Sequence, residues 1–167
     1  MLIDQSYFIG GLNIPNLTGV GMVPAANVGT LNWFIATYEP EYLRLVLGKT
    51  LYNALIAGLL VVPIPSKWQT LRAKLIDSTN KISPIASYVF YHIERDKITS
   101  TTSMGQASGK AENADMNVNS DKMCQPYNCS IRIGIEIRQW LSENGTTYPE
   151  YTTSELDELH TINNFGI

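Results

Sequence analysis

The chain has 167 residues, a formal net charge of −3 and 16% charged residues, against about 25% in an ordinary globular domain. That length fits one domain and the apolar content suffices for a core. No basic run of the kind that grips nucleic-acid phosphates is present, and two cysteines, Cys124 and Cys129, make no disulfide scaffold.

The charge deficit is uneven. From Met1 to Tyr38 only Asp4 is charged, and from Leu51 to Ser66 nothing is. Surface that is weakly charged yet not core predicts burial against other subunits. The N-terminus lacks the basic-then-apolar pattern of a secretion signal. The longest apolar run, Leu51 to Ile64, is too short to span a bilayer and holds Asn53 and Pro63. No membrane partner is expected.

Residues 1–27 read as an irregular lead-in. Leu2, Ile3, Tyr7 and Phe8 fit a short helix, then Gly10-Gly11, Pro15, Gly19, Gly21 and Pro24 punctuate the chain. The apolar residues among them predict that the lead-in lies on the main body or on a neighbour.

Leu31 to Leu60 carries the clearest period. Leu43, Leu47, Leu51 and Leu55 recur every four residues, which predicts a helix with a wide apolar stripe. Phe34 falls on the matching upstream row. Pro40 suits a first helical turn, so two helices are expected to meet at Glu39-Pro40. Glu39 and Glu41 then read as negative charge at a helix N-terminus.

Ser66-Lys67-Trp68-Gln69 has the capping-box pattern. Trp68, Leu71, Leu75 and Ile76 give the next helix its apolar side, with Asn80 closing it. Ser83-Pro84 starts another helix, serine as cap and proline in the first turn. Its residues Ile85, Tyr88, Val89, Phe90, Tyr91 and Ile93 are apolar nearly all round, the mark of a central helix.

Residues 99–117 lack any aromatic, Val, Leu or Ile and cannot nucleate a core. They fit either a surface loop or a β-hairpin arm with Gly105 and Gly109 available for the turn. From Ser120 to Asn144 two patterns compete. Ile131, Ile133, Ile135 and Ile137 alternate with polar residues as in a strand. Tyr127, Ile131 and Ile135 also share one helical row, and Ile133, Ile137, Trp140 and Leu141 another. Good helix formers at Gln139–Glu143 and a stop at Asn144-Gly145 favour the helix, with Pro126 at its start or at a kink. In the tail, 146–167, a weak helical turn is expected at Glu155 to His160, and the final apolar residues predict docking.

The predicted fold is therefore mainly α: a bundle of about five helices in one domain, 1–167. A long loop or hairpin arm falls between the last two main helices. The expected core includes Phe34, Leu43, Leu47, Leu51, Leu55, Trp68, Val89, Ile135 and Trp140. Trp33, Trp68 and Trp140 all sit on apolar rows, which favours packing over base stacking.

No catalytic pattern emerges. Cys124 and Cys129 lack zinc spacing, and His92 and His160 are far apart in sequence. A cysteine nucleophile with His92 as base has no third group to orient it. Gly105 to Lys110 departs from a phosphate loop, with Ala111 where Ser or Thr belongs. The expectation is no enzyme, no metal and no cofactor.

Several segments together resemble one family. They are Phe34 through Leu51 (F-x3-YEPEYLRLVLG-x2-L), Ser83-Pro84-Ile85 with its aromatic helix (SPIASYVFYHIERD), the TTSMG loop, Glu112-Asn113-Ala114, and the closing Asn164-Phe165-Gly166-Ile167. They are similar to proteins of tailed-phage and prophage structural modules of gut Bacteroidales, crAss-like phages among them, that look like head–tail connectors. The resemblance implies a helical bundle with a long arm, assembled as a ring of twelve copies beneath the portal in the virion neck, after synthesis in the host cytoplasm. Its partners would be itself, the portal protein and other neck or tail proteins, with DNA passing through unbound. The arm, with Thr101, Thr102, Met104, Gly105, Gln106, Gly109 and Lys110, would form the oligomer or portal interface. Another tail or completion protein of the virion, or a helical protein-binding module unrelated to virions, remain as alternatives.

Overall fold

The computed structural model describes residues 1–17, 21–98, 100–102, 105–107 and 120–162. It is mainly helical. Among the described residues there are four α-helices: α1 (Met22–Leu59), α2 (Ser66–Leu75), α3 (Pro84–Ile98) and α4 (Ser120–Glu143). Two three-residue strands, β1 (Ser100–Thr102) and β2 (Gly105–Ala107), pair antiparallel with Thr101 opposite Gln106.

The predominantly apolar helix is the central one. α3 packs against both α1 and α4. Ile85, Ala86, Val89 and Phe90 are fully buried on it. Ser83 begins it as expected: its Oγ accepts from the Ile85 amide at 3.2 Å and donates to the Leu75 carbonyl at 3.0 Å. One serine thus caps α3 and ties it to the end of α2. The competing patterns at 131–137 resolve as helix, with Pro126 inside α4.

The expected break at Glu39-Pro40 is absent, and α1 runs through it. Proline removes one amide donor, but Ala36, whose carbonyl loses that donor, lies on the exposed face where water can replace it. The break falls at Gly48 instead, with φ 77° and ψ 162°. Only glycine adopts that region without strain. Phe34, Leu43, Leu47, Leu51 and Leu55 are buried on either side of it.

Gly58 lets α2 approach α1. A Cβ there would lie 2.0 Å from Trp68 Nε1. The capping box at the start of α2 does not form. Pro65 is the cap residue, with extended backbone, so Ser66 already occupies the first turn. Gln69 donates to the Ile64 carbonyl at 2.7 Å. α2 ends at Leu75 rather than Asn80, because Ile76 turns extended and Asp77 pairs with Ile82.

The short helix expected at 1–10 is instead a pair of 3-10 turns, Gln5–Tyr7 and Gly10–Leu12. The tail holds another at Thr153–Glu155 and is otherwise irregular to Ile162. Two assignments to the core fail. Ile135 is 46% exposed although Ile131, one turn before it on the same row, is fully buried; further along α4 it is Ile137 and Leu141 that turn inward. Trp33 is 60% exposed, its edge resting on Phe34. Trp68 and Val89 are buried and Trp140 is partly buried against the core.

Candidate functional site

Breaking a helix frees carbonyls on one side and amides on the other. At Gly48 both are met from a distance. Arg138 of α4 donates to the Leu45 carbonyl. Glu155 of the tail accepts from the Thr50 amide at 2.9 Å and from its hydroxyl at 2.6 Å. A cation thus sits at a helix C-terminus and an anion at a helix N-terminus, each on its favourable side. Contact with Thr50 holds the Glu155 carboxyl below its ordinary range.

The tail becomes a strap along α1 and α4. Tyr148 is buried and donates to the Lys67 carbonyl at 2.8 Å. Lys67 in turn pairs with Glu150 at 2.9 Å. Leu159 reaches Gly134, where a side chain would meet Val46, Tyr42 and Leu159 itself. The strap is pinned again where Asn128 exchanges two hydrogen bonds with Ile162, at 2.7 and 2.8 Å. Asp157 and Glu158 remain exposed along it.

The lead-in is held by a buried charge. Glu39 is 4% exposed, and its carboxylate accepts from the Leu2 and Ile3 amides at 2.8 to 3.1 Å. Burial pushes its carboxyl up, and those two amides oppose the shift. Ile3, Tyr7 and Phe8 enter the core beside it. Glu41 accepts from the Tyr88 hydroxyl at 2.7 Å. Neither acid marks a helix N-terminus, since α1 is continuous there.

His92 stacks on Tyr38 with ring centroids 3.8 Å apart, and Tyr88 and Tyr91 flank it. Burial lowers its pKa, Arg95 adds to that, and Glu41 works against it. Its Nε2 is buried with no hydrogen-bond partner among the described residues. The described residues hold no group of three His, Cys, Asp or Glu side chains that could share a metal ion. Cys124 is buried and Cys129 half-buried.

Among the surface clefts are two lined by described residues. One, of about 290 Å³, lies among the lead-in, α1 and α3, lined by Ile14, Leu31, Phe34 and Ile93 with Lys97 at its edge. The other, a groove of about 710 Å³, runs between the end of α1 and α2, past Leu59, Ile64, Arg72, Ile76 and Asp77. His92 lines neither cleft. Exposed apolar residues gather at the two ends of α1: Met22 and Val23 at its start, and Leu60, Val61 and Val62 after its end. No helix among the described residues is long and apolar enough to cross a membrane.

Of the residues assigned to the arm, Thr101 and Thr102 fall in β1 and Gly105 and Gln106 in β2. Met104, Gly109 and Lys110 lie outside the described residues. Sequence reasoning missed Arg138, Glu155 and Asn128. The one available signal was Gly48 itself, a glycine inside an otherwise unbroken helical stripe. By architecture the chain is a mainly α protein whose built features are helix-end clasps and bare apolar ends. No protein-family model matches it, and it has no significant similarity to a curated protein or to a solved structure.

Proposed function

We propose that the chain is a structural subunit of a phage virion, a head–tail connector that closes into a ring with sister copies and meets a further neck protein. The observation that carries this reading is the pair of exposed apolar ends of α1 on a chain with so few charges. Two separate patches give a subunit surfaces for two neighbours, a sister copy and another ring of the neck. The family resemblance supplies the identity of those neighbours: the portal on one side, tail components on the other, and twelve copies around the DNA conduit. In this reading DNA passes through the ring without specific binding. The reading makes the protein structural, with no catalytic or cofactor role.

Energetics favour a closed ring over a pair. Burying Leu60, Val61 and Val62 contributes roughly 3–6 kcal/mol. Association costs roughly 4–15 kcal/mol. One such contact holds a pair weakly. In a closed ring every copy makes two, and the last copy to enter gains both.

The arm, residues 99–117, adds contact that a compact bundle lacks. Its deletion is expected to leave a folded helical protein that no longer forms rings in negative-stain images of the purified material. Rings from the shortened protein would remove the arm from the interface.

A further inference from the structure

We infer that the apolar cleft among the lead-in, α1 and α3 receives the turn after α1 of the next copy, with Leu60 and Val62 of one subunit seated against Leu31, Phe34 and Ile93 of its neighbour. This names the contact between sister copies within the ring reading and rests on it.

The cleft fits an apolar occupant. Leu31, Phe34 and Ile93 of the core line it, with Ile14 and Pro15 of the lead-in. The polar side chains of its lining are already bonded within the chain. Asn27 donates to the Asn16 carbonyl at 3.2 Å, Thr30 donates to the Ala26 carbonyl at 3.0 Å, and Lys97 pairs with Glu94 at 2.7 Å. An occupant therefore needs to bring neither charge nor hydrogen bond. The volume of about 290 Å³ is roughly twice that of an apolar cavity of ~150 Å³ that takes benzene. Two branched aliphatic side chains have room in it. The groove beside α2 is a poorer match, because aliphatic side chains there would strip water from Arg72 and Asp77.

The turn after α1 has the matching chemistry and does not spend it on its own chain. Leu60 is 79% and Val62 93% exposed, and no residue from Leu51 to Ser66 is charged. The Leu60 and Val61 amides donate to the Ala57 and Gly58 carbonyls, and Pro63 has no amide proton. The turn thus carries few unmet donors into an apolar cleft. It is also held in place: the Ile64 carbonyl accepts from Gln69 at 2.7 Å, and Gly58 lies against Trp68. A turn fixed in this way loses little freedom on docking. Cleft and turn are different surfaces, so the contact is head-to-tail, the kind that closes a ring when the rotation fits. Leu60, Val61 and Val62 cover far less than the ~800 Å² per partner of a stable pair. A copy is therefore held firmly only with a neighbour on each side. Met22 and Val23 stay exposed for the further neck protein.

Sedimentation velocity over a concentration series tests the pairing by blocking each side in turn. Val62→Asp is expected to raise the concentration for half-assembly roughly tenfold, since a carboxylate would then enter an apolar cleft. Thr30 is exposed at the cleft, and Thr30→Trp should fill the cleft from its own chain with the same result. Mixing the two variants at high concentration should give two-copy particles and nothing larger, because one supplies an intact turn and the other an intact cleft. Thr30→Arg takes the place of Thr30→Trp if the latter loses its helical circular dichroism. Raising salt from about 0.05 to 0.5 M should leave wild-type assembly undiminished, because no ion pair holds the contact. Wild-type protein that assembles while the Thr30 variant assembles equally well overturns this pairing and leaves the ring reading standing. A mixture of the two variants that stays at one-copy mass does the same. Wild-type protein that stays a single copy at every concentration overturns the ring reading, and the pairing with it.

Discussion

The middle of α1 and its two ends are built from similar residues and have opposite surroundings. Between Leu31 and Gly58 the helix buries Phe34, Ile35, Leu43, Val46, Leu47, Leu51 and Leu55. At its ends Met22 is 91% and Val62, just beyond, 93% exposed. The middle is crossed by α3 and α4, whereas the start of α1 has no residue buried before Leu31. Hydrophobicity alone therefore does not separate a core from an interface; the elements that cross a stripe do.

The sharpest way to break this contrast is to empty the middle. Leu47→Ala removes a fully buried side chain next to Gly48. It should cost about 2–5 kcal/mol, read as a lower midpoint in urea unfolding. A loss below about 1 kcal/mol would mean that the site collapses around the change and is not packed as described.

A smaller effect comes from the buried ionisable groups. Glu39 is raised above its ordinary 4.5, chiefly by burial. Its contribution to stability is complete below pH 4.5 and is lost as pH rises through the raised folded-state value. His92 is lowered below 6.5, chiefly by burial. Its contribution is complete above pH 6.5 and is lost as pH falls through the lowered value. Glu39→Gln should therefore gain on wild type in thermal unfolding as pH climbs from 4.5 to about 8. A gap that stays constant over this range would place the Glu39 carboxyl in solvent.

The smallest effect on stability belongs to the bare ends. Leu60→Ser with Val62→Ser should change unfolding by under about 0.5 kcal/mol, because these side chains touch little in a single copy. The same pair should weaken self-association. A large loss of stability would mean that the turn is part of the core.

Much of the fold was legible because local chemistry and tertiary packing agree. The serine before Pro84 caps α3, and the leucine period of α1 is buried as it reads. Where sequence and fold part, a long-range partner decides. Pro40 looks like a helix start, yet Glu39 beside it is held in a continuous helix by amides 36 and 37 residues away. Gly48 looks like an ordinary helical residue, yet the helix breaks there because Arg138 and Glu155 satisfy the groups it frees. Ile135 sits on the same row as Ile131, yet only Ile131 is buried. Such partners lie 36 to 105 residues off and leave no periodic trace. The bare apolar ends were legible only as missing charge, which does not say where on the fold they lie.

Light scattering on the purified full-length chain, from micromolar to the highest soluble concentration, tests the central claim most directly. Self-association predicts a rise from one-copy mass to a closed multiple of it, twelve if the ring matches the portal. A constant one-copy mass across the whole range, with Leu60 and Val62 still exposed, would contradict it.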